Sequence, residues 1–482
     1  MTYTAINIGP IISTLGMARK PKELWAASYL FSHLMKWIYQ TAEEKGLDII
    51  SPAKPPTDKC EVGIYPDRIY IKGEMDISEF LHDAMGAFYN DLLQCEGTSS
   101  IHPDLNYFNV MTTHCEEGKE SSAIGKLNHQ LDVLELFNYA KEDEVAETVY
   151  KIISKEGSSL LYKLATGKKP AFKSIEDIAK IGKRGEDKKS HFRYFCVVQA
   201  DGDNVGKTIS NKDLKDGDVL NISKALVNFG MAATKSIKEF GGLPIYAGGD
   251  DLLFIAPVIG MNGTHIFDLL DDLENNAFKG VHDMVKGLNL KDADGKEIEA
   301  SLSFGVSITY HKYPLYEALE SARKLLFVKA KNNKQKKAVA WMLRKHSGGT
   351  FETCFSRKDS DLWNQFSSLI KATTDDDTVS AIAQKIRQEE ALVNIVLESH
   401  DSNRLNALFE KVLEYDKEKD GYFNAVKTIM PTVYEVVRKE QKEQKEQKKQ
   451  EEQEELKKEF TKTLYCLLRT AKFINGEDVR DE

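Results

Sequence analysis

IYAGGDDLLFIAP, residues 245–257, sets two glycines and two adjacent aspartates between two apolar runs. Apolar runs of this length around a glycine-rich break predict two strands joined by a tight turn. Asp250 and Asp251 then fall at the tip of a hairpin whose base is buried. Glycines at 248 and 249 permit positive φ and leave room for a ligand against the backbone. Aspartate is at home in turns, so a hairpin tip of this kind is by itself an ordinary structural feature. It gains chemical meaning only if other acidic groups converge on it.

A second acidic cluster lies about fifty residues upstream. YFCVVQ (194–199) reads as a buried strand and runs directly into ADGDNVGK (200–207), so Asp201 and Asp203 sit at the carboxyl end of that strand. The pattern continues with a helix at 222–240, the hairpin, a helix around 264–285, a strand at 301–309, a helix at 315–330 and a strand at 338–343. The order βαββαβ, with an extra helix and strand, is that of a ferredoxin-like or polymerase-palm fold. In that order the first strand neighbours the hairpin, and three or four carboxylates meet. Like charges brought together raise one another's pKa and destabilise the fold, and a divalent cation removes the conflict. Mg²⁺ suits such a site because it needs only one or two carboxylates and keeps places for water and phosphate oxygens. Two such ions can polarise an attacking hydroxyl and hold a leaving pyrophosphate. Either acidic cluster alone reads as a turn, and both together at strand ends of one unit read as a site.

The chain has 482 residues, enough for about three domains. An α+β arrangement of two ferredoxin-like units is expected. Residues 1–94 form the first, with a strand at Tyr3–Ile8, an apolar helix at Glu23–Gln40, a strand within EVGIYPDRIYIKG (61–73) and a helix at Ile77–Leu93. Residues 95–190 read as a helical connecting insertion, 191–347 as the second unit, and 348–482 as a helical C-terminal domain. The run RKEQKEQKEQKKQEEQEELKKE (438–459) has one apolar residue, Leu456, and lacks a coiled-coil seam. It reads as a solvated helix or linker laced with i,i+4 charge pairs.

A hydrophobic fraction of 41% supports real cores, and no stretch approaches the roughly 18 apolar residues of a membrane span. The N-terminus has no basic leader or small-residue cleavage site, and six dispersed cysteines without a CxxC pair suit reduced thiols in the cytosol. A formal charge of −9 argues against wholesale coating of nucleic acid but leaves room for a local basic groove or a partner-supplied RNA surface. The lysines and arginines between Arg323 and Lys337 are foremost a solvated helix and turn, and their place in the chain also makes them candidates for triphosphate contact. Trp25 and Trp37 read as helix-core residues.

GGDD after an apolar strand, with ADGDNVGK ending the strand before it, resembles the nucleotide cyclase/polymerase palm of the large signature subunit of type III CRISPR effectors, specifically the Cmr (type III-B) kind. NIGPIISTLGMARKPKELWAASYLFSHL (7–34) is similar to that family's first palm opening, and IYPDRIYI (64–71) to its Pro-x-Arg strand. SFGVSITYHKYPLYEALESARKLLFVKAKNNKQKKAVAW (303–341) is similar to the end of its second palm. The resemblance implies two facing palms, a small joining domain and a helical C-terminal domain, working with other Cmr subunits, guide crRNA and target RNA. It implies that bound target RNA turns on ATP polymerisation into cyclic oligoadenylate, or in some relatives the joining of ATP to S-adenosylmethionine. By position, Asp201 and Asp250 would ligate Mg²⁺ or Mn²⁺ with the Gly202 carbonyl as a third ligand, and Asp251 and Asp203 would share or support the metals. Gly248 and Gly249 would admit the ribose-triphosphate, and Lys331 and Lys207 would meet phosphate.

Two departures from the family's pattern shape the expectation. The first palm opens at residue 3, which leaves no place for the HD nuclease domain many relatives carry. The pairs His82-Asp83, His282-Asp283 and His400-Asp401 read as surface pairs, so no DNase activity is expected. The connecting region has Cys95, His102 and His114-Cys115 but no paired ribbon, so zinc is not expected. Two other functions fit parts of the sequence. A diguanylate cyclase would need GGDEF, whereas the run here is GGDDL. A catalytically silent scaffold that only holds RNA would not need intact acidic clusters.

Overall fold

The computed structural model describes residues 1–57, 61–93, 107–116, 122–136, 143–154, 157–170, 172–185, 187–292, 295–358, 360–372, 376–414, 416–444 and 449–476. Two sheets organise them. The first contains β1 (Thr2–Gly9), β2 (Asp48–Ser51), β3 (Arg68–Lys72) and β4 (Asn109–Glu116), in the order β2-β3-β1-β4. All of its pairings are antiparallel. With helices Pro21–Glu44 and Ile77–Leu93 between the strands, this is a ferredoxin-like unit.

The second sheet contains β5 (Tyr194–Asp203), β6 (Leu243–Gly248), β7 (Asp251–Pro257), β8 (Ser301–Tyr310), β9 (Ala338–Arg344) and β10 (Thr350–Ser356), in the order β10-β9-β8-β5-β7-β6. Its core β8-β5-β7-β6 repeats the arrangement of the first sheet, with β9 added in parallel beyond β8. β5 is therefore central and lies directly beside the hairpin strand β7, from Phe195 opposite Pro257 to Ala200 opposite Leu252.

Side-chain alternation along β5 explains why the sheet is buried on both faces. Tyr194, Cys196, Val198 and Ala200 join one core with Ile222, Phe229 and Ile237 of helix Asp216–Phe240. Phe195 and Val197 join a second core with Trp25, Leu30 and Leu34 of the first unit's long helix, so Trp25 is a core residue. The two units thus share a core instead of being joined by a linker. Residues before β3 strengthen the join: Gly63 bridges Tyr246 in parallel, and the Ala247 N–H donates to the Gly63 carbonyl at 2.9 Å.

Two expected boundaries fall inside sheets. β4 lies within the segment expected as a helical insertion, yet pairs along β1 from Thr2–Glu116 to Gly9–Asn109. The first unit therefore extends past residue 94. β10 pairs with β9 from Thr350–Arg344 to Ser356–Ala338, so the second sheet runs past residue 347 before the C-terminal helices begin. Those helices dock on the same sheet through Trp341, whose indole N–H donates to Thr470 Oγ1 at 3.1 Å. The described part of the charged run ends helix Asp420–Gln444 and begins helix Lys449–Asn475. Among the described residues no helix is long and apolar enough to cross a membrane.

The helix expected at 264–285 is interrupted by a π-helical segment, Leu273–Ala277, and the one expected at 315–330 ends in another, Leu325–Ala330. The wider turn offsets the helix register, a device frequent at functional sites. The first segment carries Glu274, and the second ends where the Lys331 N–H bonds the Leu326 carbonyl at 2.8 Å.

Candidate active site

The last three residues of β5 are Asp201, Gly202 and Asp203, and they pair with Ser303, Leu302 and Ser301 of β8. The β6–β7 turn closes with Gly248 opposite Asp251 and places Gly249 and Asp250 at its tip. Gly249 has φ +64°, the left-handed conformation that glycine adopts without strain. Gly248 is a glycine for another reason: a Cβ there would stand 2.5 Å from the Tyr246 hydroxyl. Gly202 lets the two acidic clusters meet, since a Cβ at this position would lie 2.7 Å from both Cβ and Oδ2 of Asp250. The structure thus brings the backbone of Gly202, in DGD, close against Asp250, in GGDD.

Asp203 is fully buried, and its Oδ2 is held from three sides. It accepts from Ser301 Oγ at 2.9 Å, Ser303 Oγ at 2.8 Å and the Lys337 N–H at 2.9 Å. That leaves it as an anchor for its neighbours. Lys331 supplies the positive charge. Its Nζ reaches Asp201 Oδ1 at 2.9 Å, the Gly202 carbonyl at 2.6 Å and Asp203 Oδ1 at 3.3 Å. Lys336 donates to the Lys331 carbonyl at 2.5 Å. Lys207 is exposed on the short helix Val205–Ile209, where its charge is felt at Lys336, and among the described residues no ion pair joins it to these aspartates.

The carboxylates repel one another. Burial, with the Asp201 charge next, pushes the Asp250 carboxyl up to about 7. Burial and the charges of Asp201 and Asp250 push Asp251 far above the ordinary range, and burial raises Asp201 against the pull of Lys331. A further carboxylate was not singled out in the sequence. Asp67, in the IYPDRIYI stretch, adds its charge to Asp250, Asp251 and Tyr246, and Pro66 stands 3.8 Å from where a Cβ on Gly249 would be. The first unit thus contributes an acid directly to the hairpin. Asp67 lies immediately before β3, four residues after the bridge at Gly63.

The donors here are hard oxygens, two or three carboxylates and one carbonyl, already gathered around a cation, the Lys331 ammonium. That chemistry fits Mg²⁺ or Mn²⁺ completed by phosphate and water oxygens. Among the described residues no three acidic, imidazole or thiol side chains form a ready-made metal cluster. His114 and Cys115 are successive residues of β4, with the Cys115 thiol near the Ala123 carbonyl at 3.6 Å, and Cys95 and His102 lie outside the described residues.

Residues 194–340 match the family model described as Cas10/Cmr2, second palm domain, and residues 3–69 match that of CRISPR-associated protein Cmr2, N-terminal. Residues 194–340 and 3–69 are thus similar to two domains of the Cas10/Cmr2 family. The CRISPR system Cmr subunit Cmr2 of Pyrococcus furiosus is 31% identical over 184 residues, 33% of this chain and 19% of that protein. The chain thus matches about a fifth of that relative's length. Two cryo-EM structures of type III-B Cmr-beta, one apo and one bound to cognate target RNA, have similar folds, with TM-scores of 0.54 and 0.57. Each is 11% identical and covers 86% of this chain and 78% of the other. The Cas10/Cmr2 palm model spans both acidic clusters, Lys331 and the start of β9.

Proposed function

We propose that this chain is the large subunit of a cytoplasmic RNA-guided type III effector and transfers nucleotidyl groups from ATP to make a cyclic oligoadenylate messenger when target RNA binds. The observation that carries the reading is the meeting of Asp201 with the GGDD turn across Gly202, which leaves oxygen donors with raised pKa values at one point. Asp201, Asp250, Asp251 and the Gly202 carbonyl would hold Mg²⁺ or Mn²⁺, which supplies neutralising charge and polarises phosphoryl oxygens and the attacking hydroxyl. Asp203 fixes the strand end and orients Lys331. Lys331 lends positive charge where a triphosphate enters, with Lys336 close behind it and Lys207 at the rim. Gly248 and Gly249 keep the hairpin backbone open to the nucleotide.

The test is incubation of the assembled complex, with crRNA and the other Cmr subunits, with ATP, Mg²⁺ or Mn²⁺ and target RNA. Wild type should form oligoadenylates and Asp250→Ala/Asp251→Ala none, and equal products from both would overturn the assignment. A second acceptor is S-adenosylmethionine, giving an AMP conjugate. The acidic charge of Asp67 on the first-unit side of the hairpin favours an acceptor bearing a cation there. Mass spectrometry of products with and without S-adenosylmethionine separates the two.

A further inference from the structure

Behind the DGD motif lies a buried ionic assembly that touches none of the residues assigned to ATP or metal except Asp203. The β8–β9 ladder begins with Phe304 opposite Val339, so Leu302, which stands opposite Gly202 on β5, has no strand on its other side. Two side chains take the strand's place. Glu274, from the π-helical segment, accepts the Leu302 N–H at 2.8 Å. Arg357, just after β10, donates to the Leu302 carbonyl at 3.0 Å and pairs with the same Glu274 oxygen at 3.4 Å. The residues flanking Leu302 are Ser301 and Ser303, whose hydroxyls hold Asp203.

The assembly also reaches Asp203 by a second route. Glu274 Oε1 pairs with Lys337 Nζ at 3.4 Å, and the Arg357 N–H donates to the Lys337 carbonyl at 2.8 Å. The Lys337 N–H is itself the third donor to Asp203. Lys336 and Lys337 both have positive φ, 59° and 52°, a conformation costly for side-chain-bearing residues that persists only where the surroundings enforce it. On its far side Arg357 lies over the rings of Phe304 at 4.8 Å and Trp363 at 5.7 Å. Trp363 belongs to the first C-terminal helix, Ser360–Ala372, and its indole N–H donates to Asp271 at 2.9 Å.

Building on the nucleotidyl-transfer reading, we infer that Arg357 and Glu274 are positioning residues: they clamp Leu302 and Lys337, thereby fix Asp203 and Lys331 in their working geometry, and tie that geometry to the first C-terminal helix through Trp363. A buried ion pair is a poor device for stability alone, since apolar residues of similar size often serve as well or better. Its placement here, around a single backbone unit next to the acidic motif, suits orientation.

The test uses the full chain and measures binding of Mn²⁺ with a non-hydrolysable ATP analogue by calorimetry and Mn²⁺ electron paramagnetic resonance, alongside thermal melting. Arg357→Met/Glu274→Leu replaces the pair by apolar side chains. It should melt within a few degrees of wild type or above it, yet bind Mn²⁺·analogue about tenfold more weakly. Arg357→Lys, which keeps the charge, should recover part of the loss. Adding Asp203→Asn to the apolar pair should weaken binding no further than Asp203→Asn alone, because both act through one group. Binding within twofold of wild type in a well-folded apolar pair overturns the inference while leaving the proposed activity standing. If the apolar pair does not fold, Arg357→Lys decides: unchanged binding overturns the inference, and weakened binding with unchanged melting supports it. If wild type itself fails to bind Mn²⁺·analogue, the nucleotidyl-transfer reading falls and takes this inference with it.

Discussion

Replacing Asp250 by asparagine keeps the shape of the hairpin tip and removes one of the charges that crowd it. The structure pushes the Asp250 carboxyl from its ordinary 3.8 to about 7, through burial and the nearby charge of Asp201. The unfolded chain has lost this proton by about pH 5, whereas the folded chain keeps it until about pH 7. The folded state therefore binds more protons across that window, and the stability contributed by the wild-type residue falls as pH rises from 5 to about 7, then levels off. Two pH units at about 1.4 kcal/mol each set an upper bound of about 3 kcal/mol. Relaxation of the turn and entry of water reduce the measurable part to about 1–3 kcal/mol. For a domain of 150–250 residues, at about 2–4 °C per kcal/mol, that is a melting shift of about 2–12 °C. The assay is scanning fluorimetry of wild type and Asp250→Asn in EDTA at pH 5 and pH 8. The variant's advantage should grow by that amount between the two, and added Mg²⁺ should narrow it by binding the wild-type carboxylate. An advantage that stays constant with pH, or reverses at pH 8, would refute the claim that repulsion at the hairpin is a cost of this fold.

Gly202→Ala should abolish Mg²⁺-dependent use of ATP and lower stability by about 1–3 kcal/mol, because the new methyl meets Asp250 and Val205 at 2.7–2.8 Å; activity above a tenth of wild type would show that the contact is dispensable. Asp67→Asn removes a charge that raises Asp250 and Asp251, so the acid limb of the pH–rate profile should move to lower pH. An unmoved limb would place Asp67 outside the site's field. Gly305→Ala puts a methyl 2.3 Å from the Ala322 carbonyl, where β8 lies against the helix that leads to Lys331, and should cost about 3 kcal/mol in chemical denaturation. A cost below about 1 kcal/mol would show that this helix can shift freely on the sheet.

The parts of the fold visible in the sequence are those whose signal is local. YFCVVQ is apolar on both faces because two cores flank β5, and the glycines of DGD and GGDD mark backbone that no side chain can share. β4 and β10 were not visible for the opposite reason. NVMTTHCE is mostly half-buried at the sheet edge, and TFETCFS mixes polar and apolar residues on both sides, so neither shows the clean alternation of a strand with one wet face. The π segments were invisible because one extra residue in a turn leaves the 3.6-residue apolar pattern nearly unchanged. Asp67 stood inside a quoted motif, but only the bridge from Gly63 to Tyr246 brings it to the hairpin. Arg357 and Glu274 are 83 residues apart, and nothing in either neighbourhood announces the other.

These differences bear on how the site can exist at all. Asp67, Asp201, Asp250 and Asp251 crowd one end of the second sheet, and Lys331 neutralises only part of that charge. A site of this kind cannot stabilise its own scaffold, so rigidity has to come from elsewhere. It comes from the cores on both faces of β5, and from hydroxyl, amide and ion-pair contacts that grip β8 and the 336–337 turn without adding a further free carboxylate. Asp203 is the hinge of that division: one oxygen belongs to the scaffold and the other faces Lys331. Loosening the scaffold side therefore moves the charge balance around Lys331 and Asp201, and on the proposed function substitutions at Arg357 or Glu274 should register first in metal and nucleotide binding and only later in melting.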